Sequence, residues 1–150
     1  MANYAALMTR TASTVASLGT VAANATRARR GEWHYLSLGS PAAAADNPFL
    51  YVIQRFTAPG TNTAVTPQPL DPADFATEST AGQVNTVEPT YTANQILMSQ
   101  PVNQRSTFQW WASDQTCRMV YPATASNGLG IATPTASAVT IQGTVHYNER

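Results

Sequence analysis

The sequence predicts an all-β fold: an antiparallel β-sandwich or jelly roll, with an extended N-terminal arm and a long Pro/Thr-rich loop. Three observations predict it. Apolar and polar residues alternate with period two in run after run. Ten Pro and eight Gly punctuate those runs, and no stretch carries a long apolar period of 3.6. The length of 150 residues suits one domain, able to bury roughly 68–70% of its unfolded surface.

Taken in chain order, residues 1–26 form an N-terminal arm or a first strand, and residues 27–150 a single sandwich domain. "TASTVASLGTV" reads as a strand, although its Ala content also fits an amphipathic helix. "RARR" follows; on a strand Arg27 and Arg29 share a face and Arg30 takes the other, a pattern suited to salt bridges at a strand edge or between subunits. "EWHYLSLG" is a strand. "PFLYVIQRF" is apolar on both faces, so it should be central or covered on both sides. "ANQILMSQ" and "TCRMVY" are further strands, with the lone Cys117 expected to be a small buried hydrophobe. In "RSTFQWWA", Phe108 and Trp110 share one face, opposite Thr107, Gln109 and Trp111. Asn127-Gly128 suits a tight turn with positive φ. The clearest strand is "AVTIQGTVHY": Val139, Ile141, Val145 and Tyr147 face one way, and Thr140, Gln142, Thr144 and His146 the other.

The stretch from Gln54 to Thr80 breaks the pattern, because over half of it is Thr, Pro and Ala. Pro59, Pro67, Pro69 and Pro72 each remove a backbone donor and favour extended geometry. "TPQP" should approach polyproline II, whose carbonyls need water or a partner. In "LDPADFA", Asp71 can cap and Pro72 fits a first helical position, predicting one or two helical turns anchored by Phe75. Disorder is the bland reading of such composition. Against it stand the spaced apolar residues Val65, Leu70 and Phe75, followed by Val84, Val87 and Tyr91. A long connection in a compact domain usually has a job, so residues 57–92 are expected to be a structured region contacting another protein.

Composition supports that expectation. Charged residues make up 11% of the chain and the net charge is zero, against roughly 25% charged in ordinary soluble domains. All eight basic residues are Arg; Lys is the cation that interfaces exclude, whereas Arg is enriched there. Without clustered positive charge, nucleic acid is not an expected partner. No apolar run approaches the roughly 20 residues of a membrane-spanning helix, so no membrane is expected either. Residues 1–30 hold four Arg and no acid, as a transit peptide does, but lack an apolar core segment. The "NAT" at Asn24 is only a formal glycosylation acceptor.

Reactive chemistry finds little support. The acids are scattered, and Asp71 with Asp74 suits turn capping better than acid–base work. There is no GxSxG elbow and no glycine-rich phosphate loop. His34 and His146 sit in strands, away from the main apolar face and without ligand spacing. No catalytic residue, cofactor or metal ligand is therefore expected, and the protein is not expected to be an enzyme. "PLDP" matches a PxxP pattern, a weak signal among ten Pro. Trp110 and Trp111 must point to opposite sides of a strand. One fills the core; the other is left for a subunit interface, a cover, or a sugar-stacking platform.

Several blocks carry a resemblance: "RRGEWHYLSLGS", "ADNPFLYVIQRFTAPGTNTAVTPQPLDPAD", "VEPTYTANQILMSQPVNQRSTFQWWA" and "PATASNGLGI". Over residues 27–147 the chain resembles head decoration (cement) proteins of tailed bacteriophages. The resemblance implies a non-enzymatic virion protein on the outer surface of the head, made in the host cytoplasm. It implies binding to the major capsid protein and to copies of itself, as a trimer, with β-rich bodies and extended arms. The residues expected to contact partners are Val65, Pro67, Pro69, Leu70, Phe75, Tyr91, Trp111, Arg55 and Arg105, with Tyr51 or Trp111 between like subunits. The competing expectations are a tail, baseplate or fibre component, and a carbohydrate-binding module for host attachment.

Overall fold

Alternation in the sequence becomes burial in the structure. In the computed structural model, residues 2–10, 17–41, 45–133 and 139–150 are described. Ile141–Glu149 forms the last strand, β12, with Ile141, Val145 and Tyr147 buried and Gln142, Thr144 and His146 half-exposed. The first strand, β1 (Asn3–Arg10), pairs antiparallel with it along its whole length, from Asn3 opposite Asn148 to Arg10 opposite Ile141. Tyr4, Ala6 and Met8 of β1 fill the core. Residues 3–10 are thus an inner strand rather than an arm, because every second residue is an apolar one that a free arm would leave in water.

The same doubling-back repeats inward. β2 (Ser17–Ala22) pairs with β11 (Gly128–Ala132), and β3 (Gly31–Gly39) with both β9 (Phe108–Trp111) and β10 (Met119–Tyr121). β4 (Pro48–Phe56) pairs with β8 (Tyr91–Asn103). First goes with last, second with second-to-last, and so on down to β4–β8. Folded over into two facing antiparallel sheets, this nested order is that of a jelly roll. One sheet runs β10–β3–β12–β1, with β9 also on β3; the other runs β2–β11–β4–β8. Between them lie Trp33, Leu36, Leu38, Leu18, Ile53, Leu129, Ile131 and their neighbours.

The Pro/Thr-rich segment is the tip of the innermost hairpin, and it is a loop only in part, irregular mainly over residues 70–79. It forms β5 (Thr61–Val65), β6 (Gln68–Pro69) and β7 (Thr80–Val87). β7 adds to the free edge of β2, with β5 outside it, and β6 adds to the free edge of β1. The segment's backbone finds its partner in β1: Tyr4 lies opposite Pro69, and the Leu70 N–H donates to Asn3 O at 2.8 Å. A Pro in a strand is tolerated at such an edge. Sealing two open edges removes a template for unwanted pairing.

Local departures from expectation have local causes. "LDPADFA" is a turn, not a helix: the Asp74 N–H donates to Asp71 O (3.0 Å), and Asp71 Oδ1 accepts from the Ala73 N–H (2.9 Å). The positive φ near Asn127-Gly128 falls on Ser126 (63°). Gly128 is instead a close-approach position, where a Cβ would lie 2.2 Å from Val21 O. Within "TCRMVY" only β10 is a strand. Gln115–Cys117 is a 3-10 turn capped by Asp114, which leaves Cys117 exposed rather than buried. The "RARR" residues lie in the β2–β3 connection, not on a strand. "TASTVASLGTV" begins outside the described residues and emerges as β2 at Ser17; "GSPAAAADNP" and the start of "AVTIQGTVHY" also fall partly outside them. "PFLYVIQRF" is covered on both faces as expected: Ile53 packs in the core, and Phe56, on the other face, is 1% exposed beneath Tyr91.

Candidate functional site

The inserted segment is fastened to its own domain at four places. Besides β6 and β7, Glu149 on β12 clasps residues 77–79: its carboxylate accepts from the Glu78 N–H (3.1 Å), the Ser79 N–H (2.6 Å) and the Thr77 hydroxyl. Beneath this clasp the Thr77 hydroxyl meets Tyr147 OH at 2.9 Å, and the Ser79 hydroxyl meets Tyr121 OH at 2.7 Å. Burial pushes both phenols above their ordinary range. At the far end the Ser17 hydroxyl joins Glu88 and Tyr91, with 2.7 Å to the Tyr91 hydroxyl. Burial also raises the Tyr91 phenol.

This fastening sorts the expected contact residues. Val65 packs against the core, Pro67 is buried, and Pro69 belongs to β6. The ring of Tyr91 lies over Gly130, so tightly that a Cβ there would sit 2.6 Å from the Tyr91 hydroxyl. Arg55 donates through Nε to Val120 O at 3.0 Å, a tie between the two sheets. Tyr51 is 4% exposed and belongs to the core, where burial pushes its phenol up to about 12. All six make contacts within their own chain that the sequence does not reveal; Pro67 and Tyr51 are buried, which removes them from the expected contact surface, whereas Val65, Pro69, Tyr91 and Arg55 stay half-exposed.

Leu70, Phe75, Trp111 and Arg105 remain on the surface. Phe75 is 89% exposed and Leu70 50%, both at the 70–76 turn. Val84 and Val87 of β7 are also exposed, and Val84 is held at φ 49°, a genuine outlier for a β-branched residue. Trp111 is 63% exposed. It sits at the β9 edge of its sheet, whereas β6 and the 70–76 turn lie at the opposite edge, so the structure separates these candidates into two surfaces. Phe108 and Trp110 turn inward against the core, as their alternation predicts.

The second surface contains residues that sequence reasoning missed. Tyr35 packs against Trp111 with ring centroids 4.2 Å apart and planes inclined by 44°, and His146 follows at 4.7 Å from Tyr35. His34 lies 6.2 Å from His146. Burial lowers the pKa of both His, and for His34 the neighbouring His146 and Arg118 lower it further. Alternation indicated which residues face outward, but only the register between strands reveals that Tyr35, Trp111 and His146 stand in one row.

Charges are largely matched within the chain. Glu32, buried, is surrounded by Arg118 (3.0 Å), Arg150 (3.4 Å) and Arg30 (3.5 Å), and Arg27 pairs with Glu78 at 3.2 Å. The "RARR" group therefore pairs two of its cations, Arg27 and Arg30, with carboxylates of the same chain, both side chains remaining exposed. The Asn24 amide oxygen accepts from Thr26 N–H (2.8 Å) and caps its own turn. Among the described residues no group of three His, Cys, Asp or Glu could hold a metal ion, and no helix is long and apolar enough to cross a membrane. Compared with known protein families, characterised proteins and solved structures, the chain matches none.

Proposed function

We propose that this protein is a structural virion protein that binds the outer surface of an assembled phage head and stabilises it as a decoration protein. Its partners in this reading are the major capsid protein and copies of itself, arranged as a trimer. The observation that carries the proposal is the 70–76 turn. Phe75 and Leu70 are large apolar side chains in solvent, yet the segment presenting them is pinned by β6 on one side and by the Glu149 clasp on the other. A pinned apolar protrusion loses little conformational freedom on docking, which is how preorganisation strengthens binding. The left-handed Val84, exposed beside Val87, adds a strained surface position of the kind that clusters at ligand contacts.

Low charge and the absence of Lys fit a surface that ends up covered. Attachment to the assembled shell alone would stabilise it by mass action, and many copies would let each contact be weak. The test compares heads with and without the protein under heating, alongside protein carrying Phe75→Ala and Leu70→Ala. Heads lacking the protein should rupture at a lower temperature, and the double variant should attach at least about tenfold more weakly, a loss of about 1.4 kcal/mol. Heads of unchanged stability, or full attachment by the double variant, would refute the reading.

A further inference from the structure

The outer face of the β9–β3–β12–β1 sheet has a composition of its own. Register places Ala5, His146, Tyr35 and Trp111 in one row across the strands. Beside it runs Leu7, Thr144, Ser37 and Gln109, and next Thr9, Gln142 and Gly39. None of these positions is Asp, Glu, Lys or Arg. The two His nearby are held toward the neutral form by burial. Next to the aromatic row a shallow cleft of about 200 Å³ is lined by Ser37, Ser40, Thr107, Gln142 and Thr144, together with Gly39 and Pro41. The Gln109 amide reaches toward the Tyr35 hydroxyl at 3.4 Å, which fixes the edge of the row.

We infer that this face binds a neutral oligosaccharide, with the Trp111–Tyr35 rings as its stacking platform and the adjoining cleft as its hydrogen-bonding wall. A sugar ring offers an apolar C–H face and a rim of hydroxyls. The first matches an exposed aromatic ring, and the second needs groups that both donate and accept, which Ser, Thr and Gln side chains supply. Charge argues for the same occupant. A nucleic acid or acidic glycan would call for Arg in these three rows, and a basic partner for carboxylates; the rows hold neither, and the Glu32 of the next row is taken up by Arg30, Arg118 and Arg150. A second copy of the chain would be expected to bury an apolar core, but the apolar side chains in these rows are Ala5, Leu7 and Trp111, set among Tyr35, His146 and the hydroxyls and amides of Thr9, Ser37, Gln109, Gln142 and Thr144. From β9 to β12 the row spans roughly 10 Å, enough for about two linked sugar rings.

The inference is independent of shell binding, since Phe75 lies at the opposite edge of the sheet. The experiment titrates the full-length protein with maltohexaose, cellohexaose, mannohexaose and chitohexaose, following tryptophan fluorescence and calorimetry. At least one should bind saturably below about 5 mM. Trp111→Ala should weaken that binding at least about tenfold, Gln109→Ala should weaken it less, and Phe75→Ala should leave it unchanged. Trp111 and Gln109 are both exposed, and an unchanged urea midpoint for at least one of these variants separates lost binding from lost folding. No saturable binding to any of the four overturns the inference. So does a Trp111→Ala protein that binds as wild type, or one whose sedimentation changes while its sugar affinity does not, which would assign the face to a second copy.

Discussion

Glu149 shows how much a single carboxylate can organise. It receives two backbone N–H groups and a hydroxyl from residues 77–79. Glu149→Gln replaces one acceptor oxygen by a donor facing those N–H groups, so stability should fall by about 1–3 kcal/mol. Urea denaturation would measure the loss, and amide exchange at Glu78 and Ser79 should accelerate first. Gly31 makes the opposite case, for an absent side chain: a Cβ there would lie 2.0 Å from the Tyr121 ring. Gly31→Ala should cost about 1–3 kcal/mol through overpacking, read as a lowered urea midpoint. Neither role was legible in the sequence. Alternation tells which way a residue faces, but Glu149 meets Ser79 across 70 positions, and no local pattern announces that. Trp111 was legible as a surface aromatic because its neighbour Trp110 had to take the core; its stacking partner Tyr35 was not.

The strands themselves were largely readable. β3, β9 and β12 fall where period-two runs stand, because apolar residues at alternate positions turn inward along each; β4 falls on the run that is apolar on both faces, and β8, without a buried residue, includes "ANQILMSQ". The inserted segment was misread for an equally physical reason. Its Pro content excludes an inner strand but not an edge strand, and composition cannot show which edges of a sandwich are vacant. β5, β6 and β7 exist because β1 and β2 would otherwise end their sheets unpaired. A segment fastened in this way should resist proteases except at its protruding turn. Limited proteolysis of the native protein should therefore cut first within residues 70–76, while 61–65 and 80–87 stay protected; early cleavage within β7 would contradict the pairing. Phe75→Ala should change stability by less than about 0.5 kcal/mol in urea titrations, as exposed substitutions generally do.

Taken together, the fold should be sensitive to mild acid. His34 and His146 both have pKa values below the ordinary 6.5, mainly through burial. Above that value neither state is protonated and they contribute no pH dependence. As pH falls through 6.5 the unfolded chain takes up protons that the folded one resists, so stability should decline between about pH 7 and 5. Asp114, lowered by the Thr116 hydroxyl and N–H, adds a loss only below its ordinary 3.8. Urea midpoints measured from pH 7.5 to 5 should fall, and His34→Gln together with His146→Gln should flatten the curve.

The nested pairing has a consequence in time. Asn3 meets Asn148 and Ser17 meets Ala132, so the outermost ladders join residues more than a hundred positions apart, and such closures are slow to nucleate. The hairpin of β4 and β8 can zip early, but β1 has no strand partner on its inner side until β12 has left the ribosome. Until β12 is made, then, the core-facing strand β1 waits without its main partner, and this stage exposes the chain most to aggregation.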